Sequence, residues 1–203
     1  RGLLMEYGIP LPQGRCHIAK RLPAILEDSE NDLPGVFRQL LQRLLDHLNE
    51  LDRQVHELET QIQVWHQQNE ASKQLAGIPG IGPITASALV ASIGDASSFK
   101  NGRQLAAWLG LVPRQYSSGG KQTLQGISKR GDTYLRTLLI HGARSAVRVA
   151  SGKTNQTSLS FVQLMERRHK NVAAVALANK HARIVSALLT QPREYRSDFV
   201  LVG

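Results

Sequence analysis

A stripe of apolar residues between Phe37 and Trp65 limits this chain more than any other feature. Phe37, Leu41, Leu44, Leu48, Leu51, Val55, Leu58, Ile62 and Trp65 follow one another in alternating steps of four and three. Gln, Glu, Asp, Arg and His fill the positions between them. This is a heptad a/d seam, and it predicts one long helix. A helix with a single narrow apolar stripe has to cover it against another helix. An antiparallel partner within the chain is one solution. The sequence offers no second heptad run, which favours self-association through an intermolecular coiled coil over residues 37–65.

On either side of this helix the pattern changes. Residues 1–34 contain Pro10, Pro12, Pro23 and Pro34, with glycines at 2, 8 and 14, and read as an irregular linker with short helical pieces. Residues 35–73 form the predicted coiled coil. Beyond it, "LAGIPGIGPITASALVASIGD" (Leu75–Asp95) reads as a helix end, a Gly-Ile-Gly turn and a second helix. Asn101 is a predicted N-cap, and Gly131-Asp132 a stop followed by another cap. Val172, Val175, Asn179, Ala182, Val185 and Leu189 keep helical spacing. Sustained period-two alternation is missing throughout. The predicted class is all-α: a long coiled-coil helix followed by a compact helical domain, 74–203, containing a helix-hairpin-helix.

Charge divides the chain in the same place. The net charge is +9, yet residues 1–73 hold 8 Lys+Arg against 11 Asp+Glu, while 74–203 hold 17 against 5. A spacer or oligomerisation half joined to a polyanion-binding half accounts for that asymmetry. Cys16 is the only cysteine, which rules out an intrachain disulfide and fits a reducing cytoplasm. The sequence shows no signal peptide and no apolar run of membrane-spanning length. The chain opens at Arg1 rather than Met, which we read as a boundary with further sequence upstream.

Two motifs carry chemistry. In "IPGIGPITA", Gly80 and Gly82 permit a tight turn and close backbone approach, Pro83 can open the next helix, and Thr85 lies in its first turn. Amides at such a helix start suit a phosphate oxygen, so the motif reads as a helix-hairpin-helix that grips nucleic-acid backbone. A plain αα-turn is the alternative. The second motif is "PRQYSSGGKQTLQGISKRGDTYLR", Pro113–Arg136. Arg114, Lys121, Lys129, Arg130 and Arg136 surround Ser117-Ser118-Gly119-Gly120, and Arg144 and Arg148 extend the cationic face one helical turn apart. A serine in a Gly/Ser turn is ordinarily a turn residue, and a hydroxyl nucleophile needs a base or metal to activate it.

Other chemistries are poorly supplied. His47, His56 and His66 lie on or beside the long helix and are expected to be solvated. Cys16-His17 has no second ligand pair at zinc spacing. The carboxylates of the second half, Asp95, Asp132, Glu166, Glu194 and Asp198, form no acidic pair of the kind two-metal phosphoryl transfer uses. The residues alone therefore point to a nucleic-acid-binding module, with a coiled-coil scaffold as a weaker reading.

Three segments, "LAGIPGIGPITASALVASIGD", "FKNGRQLAAWLGLVPRQYSSGGKQTLQGISKRGDTYLRTLLIHGAR" and "VALANKHARIVSALL", closely resemble the C-terminal domain of IS110-family transposases. The nearer resemblance is to the IS1111 branch, with Piv-type DNA invertases more distant. The resemblance covers nearly the whole chain and is densest from Leu75 to Leu189. It implies a DNA transposase in which an N-terminal RuvC-like domain carries a DEDD carboxylate set for divalent metal, Mg²⁺ as the natural choice. A coiled coil then leads to a helical domain that supplies a serine nucleophile, and a structured bridge RNA guides the complex to DNA. The family's serine precedes a glycine in the loop matching "YSSGG", which implies Ser118, with Ser117 second. The DEDD carboxylates have no counterpart in this sequence, so the resemblance implies a fragment that holds no metal and does not cut DNA alone. The implied setting is the bacterial cytoplasm, at the nucleoid. The alternative function is a non-catalytic nucleic-acid-binding module of a truncated element.

Overall fold

The computed structural model describes residues 1–118, 121–150, 163–191 and 195, and it is mostly helical. The chain divides into two units, Arg1–Gln61 and Ile62–Gly203, with the boundary inside the long helix.

In the first unit, α1 (Gly2–Glu6) and α2 (Arg15–Glu27) pack with the first turns of α3 (Gly35–Gln68). Leu4, Leu11, Leu22, Leu33, Leu41 and Leu45 form its core, and Tyr7 stacks on Phe37 at 5.1 Å between ring centroids. The segment expected to hold only short helical pieces thus contains a thirteen-residue helix with Pro23 inside it. Proline removes one helical hydrogen bond there. The end of α2 is secured by side chains instead. The Arg38 guanidinium donates to the carbonyls of Leu26 (2.8 Å), Asn31 (2.9 Å) and Leu33 (3.1 Å), and the Asn31 amide donates to Ile25 O at 2.7 Å. The bonds to Ile25 O and Leu26 O satisfy carbonyls that the end of α2 leaves without helical partners, and those to Asn31 O and Leu33 O fix the turn into α3.

The heptad helix runs uninterrupted over 34 residues. Its seam is covered unevenly: Leu41 is buried and Leu48 and Ile62 are half-buried, whereas Leu44, Leu51, Val55, Leu58 and Trp65 are exposed. Flanking charges pair along the helix. Arg53 bridges Glu50 (2.7 Å) and Glu57, and its hydrogen bond, with one from Gln54, holds the Glu50 carboxyl at about 2. His66 departs from the sequence reading. It is buried, and its Nδ1 lies 2.7 Å from Ser72 Oγ, just past the end of α3.

In the second unit, α4 (Glu70–Ala76), α5 (Pro83–Ile93), a 3₁₀ turn (Ala96–Ser98), α6 (Gly102–Trp108), α7 (Thr133–Ala150) and α8 (Lys170–Thr190) enclose one core. Leu75, Ile78, Leu89, Leu105, Leu109, Leu135, Leu139 and Val185 are fully buried in it. Each such side chain is worth roughly 1.5–3 kcal/mol of transfer free energy. The caps fall where the sequence placed them. Asn101 accepts from the amides of Arg103 and Gln104, Asp132 accepts from Leu135 N at 2.8 Å, and Pro83 opens α5. α8 is long and apolar enough to cross a membrane, but half of its most apolar window is buried. Ala174, Leu177, Ala178, Ala182 and Val185 face the core, which marks it as a core helix.

The all-α class holds, with one local difference from the sequence reading. The segment read as a loop forms an antiparallel hairpin, β1 (Pro113–Ser118) and β2 (Lys121–Ile127).

Candidate nucleic-acid interface and serine hairpin

The hairpin leaves the helical core between α6 and α7, and its base is fixed at several points. Gly110 and Gly131 adopt φ of +70° and +93°. A Cβ on Gly131 would overlap the Trp108 carbonyl, and one on Gly110 would overlap that of Arg130. The two chains of the base therefore pass closer than any side chain permits, which only glycine allows. Ser128 N donates to Val112 O at 2.8 Å, Lys129 N to Gly110 O at 3.1 Å, and the Asn179 amide of α8 to Leu111 O at 3.1 Å. Lys129 holds a positive φ of 56°, rare for a residue with a side chain.

Arg136 completes the base from inside. The sequence grouped it with the phosphate-facing cations, but it is buried. Its guanidinium donates to Leu109 O (3.2 Å), Arg130 O (3.4 Å) and Thr133 Oγ1 (3.1 Å). Leu109 ends α6, where partial negative charge gathers on the terminal carbonyls and offsets a desolvated cation. Arg136 thus ties both ends of the hairpin to α7 rather than facing solvent.

Register places Ser118 opposite Lys121, the last pair before residues 119–120, with Ser117 opposite Gln122 and Tyr116 opposite Thr123. Gly119 and Gly120, and the side chains of Ser117, Ser118, Lys121 and Gln122, lie outside the described residues. At the base, Arg114, Lys129 and Arg130 are exposed, and among the described residues none is paired with a carboxylate. All the ion pairs found among the described residues fall between Arg15 and Lys73. The cations of the hairpin base therefore keep their charge available to an anion.

The remaining sequence-predicted residues stand elsewhere. Gly80, at φ +89°, packs backbone to backbone against Gly142 of α7, so its close approach is to the protein's own core. Thr85 is buried. Gly82 has open space around its Cα and leads into Pro83 at the start of α5, which leaves that helix end accessible. Arg144 and Arg148 are exposed on α7. Each lies two positions past a residue that faces the Gly80 turn, Gly142 and Ala146. Two helical positions turn a side chain by about 200°, so both arginines point away from that turn. The fold gathers Arg114, Lys129 and Arg130 at the hairpin base and distributes the rest. Asn179, counted in the sequence as a core-facing position, is the anchor that reading missed. Its signal was a carboxamide on an otherwise apolar helical stripe.

Residues 72–158 match the transposase family IS116/IS110/IS902. A probable family 20 transposase of Pseudomonas aeruginosa is 50% identical over 197 residues, 97% of this chain and 58% of that protein. The transposase for insertion sequence element IS1111A of Coxiella burnetii is 44% identical over 196 residues, 97% of this chain and 54% of that protein. This chain belongs to the IS116/IS110/IS902 transposase family. A pilin gene-inverting protein of Moraxella bovis is 34% identical over 155 residues, 74% of the chain and 45% of that protein. The chain spans about half the length of these curated relatives. The family match covers the hairpin, its glycine base and all of α7.

Proposed function

We propose that this chain is the nucleophile-bearing, DNA-binding part of a DNA transposase guided by a structured RNA. Ser118 is the nucleophile, with Ser117 as the runner-up. Its Oγ attacks a DNA phosphorus, the Oγ–P bond forms as one P–O bond of the phosphodiester breaks, and the departing strand leaves with its oxygen protonated. The product is a strand joined to the protein through phosphoserine. Arg114, Lys121, Lys129 and Arg130 hold the phosphate and offset charge that builds on its oxygens. What supports this reading is family membership across a segment that includes the hairpin, together with a hairpin base held rigid by Gly110, Gly131 and Arg136. A nucleophile has to be held in register with its phosphate, and a rigid base serves that need.

Activation of the hydroxyl calls for a base or a metal. A divalent cation such as Mg²⁺ does not fit here: the described residues hold no group of three His, Cys, Asp or Glu side chains suited to a metal. We assign that role to a RuvC-like part of the full-length enzyme and derive no step through it. On this reading the chain alone binds DNA and guide RNA but does not cleave. The Gly82–Pro83 helix start contributes a phosphate contact in helix-hairpin-helix fashion, and the exposed seam of α3 brings copies together as a coiled coil. The enzyme works in the bacterial cytoplasm.

The test is this chain joined to a RuvC-like part, with guide RNA, DNA and divalent metal. Ser118→Ala abolishes the denaturation-resistant protein–DNA adduct while leaving complex assembly intact, and Ser117→Ala retains it. An adduct that persists in Ser118→Ala refutes the assignment and reduces the hairpin to a clamp.

A further inference from the structure

A second cationic feature lies at the opposite end of α6 from the hairpin. Lys100, Arg103 and Arg183 line an open groove of about 590 Å³ between the N-terminal end of α6 and the last turns of α8. The backbone sets this arrangement. A Cβ on Gly102 would come within 2.9 Å of Arg183 Cα, so α6 and α8 approach closely and bring Arg103 and Arg183 to one groove. Among the described residues none of the three cations is paired with a carboxylate. The nearest acid in sequence, Asp95, is engaged by Ser97, whose amide (2.9 Å) and hydroxyl (2.7 Å) both donate to it.

The groove is equipped for charge rather than for shape. Ser97 Oγ donates to Asp95 and Thr190 Oγ1 to Ser186 O at 2.8 Å, so two hydroxyls on its wall are already committed. A small anion recognised by a closed set of donors would use such hydroxyls. An extended polyanion needs only spaced cations along an open channel. Lys180, one turn before Arg183 on α8, has its amine pushed down by burial and then by the Arg183 charge.

We propose that this groove is a second binding site for nucleic-acid backbone, with Arg103 and Arg183 as its principal phosphate ligands and Lys100 at its rim. The proposal rests on the reading of the chain as the DNA-binding part of a transposase and adds a site to it. α6 has seven residues and measures about 10 Å. Its exposed residues Arg103, Gln104, Ala107 and Trp108 form a ridge from the groove to the hairpin base. A strand laid along this ridge advances about 3.4 Å per nucleotide. The groove therefore holds a phosphate about three nucleotides from one held at the hairpin base.

The experiment is fluorescence anisotropy with this chain, a labelled random-sequence DNA duplex and, separately, a labelled structured RNA, across a salt series. Three double variants are compared: Arg103→Gln/Arg183→Gln, Lys100→Gln/Arg103→Gln, and Lys129→Gln/Arg130→Gln. The second pair consists of exposed residues, which keeps the test sound should the first pair disturb α8. We expect Arg103→Gln/Arg183→Gln to weaken binding on the order of tenfold and to flatten the salt slope by about two. Lys100→Gln/Arg103→Gln moves both in the same direction. The arm that loses affinity, duplex or RNA, identifies which backbone occupies the groove. Wild-type affinity and slope in both groove variants, with loss in Lys129→Gln/Arg130→Gln, overturns the groove and leaves the hairpin reading standing. A wild-type chain that binds neither probe at low salt removes the parent reading, and the groove proposal with it.

Discussion

The two units solve the problem of stability in opposite ways. The first, Arg1–Gln61, buries six leucines at one end of a helix and leaves Leu44, Leu51, Val55 and Leu58 of its apolar seam exposed. The second, Ile62–Gly203, closes a larger core and draws its helices together at glycines, Gly80 against Gly142, Gly102 against Arg183, Gly110 and Gly131 at the hairpin base. Their electrostatics diverge too. Ion pairs such as Arg15–Asp52 at 2.5 Å bind charge within the first unit, whereas the second keeps its exposed hairpin cations uncommitted. The contrast teaches that surface left unsatisfied is where each unit meets something else. In the first it is apolar, and we read it as a seam for another copy. In the second it is positive, and we read it as a face for phosphate.

The glycine joints give the strongest test of this contrast. Gly131→Ala places a methyl on the Trp108 carbonyl at a positive φ, and strain and overpacking together cost on the order of 4 kcal/mol. Chemical denaturation followed by far-UV circular dichroism shows the second unit unfolded or nearly so. Stability close to wild type refutes the close-approach account.

The next largest effect concerns the seam. Leu48→Asp with Leu51→Asp puts charge into positions that a coiled coil buries, and the chain becomes monomeric. Sedimentation velocity at micromolar concentration reads the result. A wild-type chain already monomeric there removes self-association through residues 37–65.

Third comes a proton in the core of the second unit. His181 is buried, its Nδ1 lacks a partner among the described residues, and burial, then the Lys180 charge, lowers its pKa from 6.5 to about 4. The unfolded chain takes up a proton in that interval which the folded chain refuses. The contribution of neutral His181 is complete above pH 6.5 and is lost as pH falls toward 4. The loss amounts to about 3 kcal/mol. His181→Leu flattens this pH dependence, as measured by urea midpoints at pH 7 and pH 4.5. An unchanged slope in the variant shows that other groups carry the acid sensitivity.

The smallest effect sharpens the first. Gly82 has a negative φ of −92°, and a methyl added there would meet nothing within 4 Å, so Gly82→Ala shifts stability by less than about 1 kcal/mol. The same substitution separates two roles of one motif: Gly80 is a packing joint, and Gly82 is part of an accessible helix start.

Much of the fold was legible because it rests on burial and capping. The Phe37–Trp65 period predicted α3, and Asn101, Asp132 and Pro83 marked helix starts that the structure retains. The hairpin was not legible by periodicity. Gln115, Tyr116, Thr123 and Leu124 are all exposed, so neither strand face needs an apolar alternation. The signal that remained was local, two glycines between segments containing Tyr, Thr and Ile. α2 was hidden by Pro23, whose cost is offset by tertiary contacts such as those of Arg38 that no local rule weighs. Arg136 was misplaced by its charge, although its spacing revealed it. It stands three residues before Leu139 and seven before Ala143, on the buried stripe of α7.

The central claim is that a serine at the end of β1 becomes covalently bound to DNA. The direct measurement is peptide mapping by mass spectrometry of the adduct trapped in the extended, metal-loaded, RNA-guided enzyme after nuclease digestion. The account predicts a nucleotide phosphate on Ser118. The same phosphate on Ser117, on a residue outside the hairpin, or on no residue despite strand cleavage contradicts it.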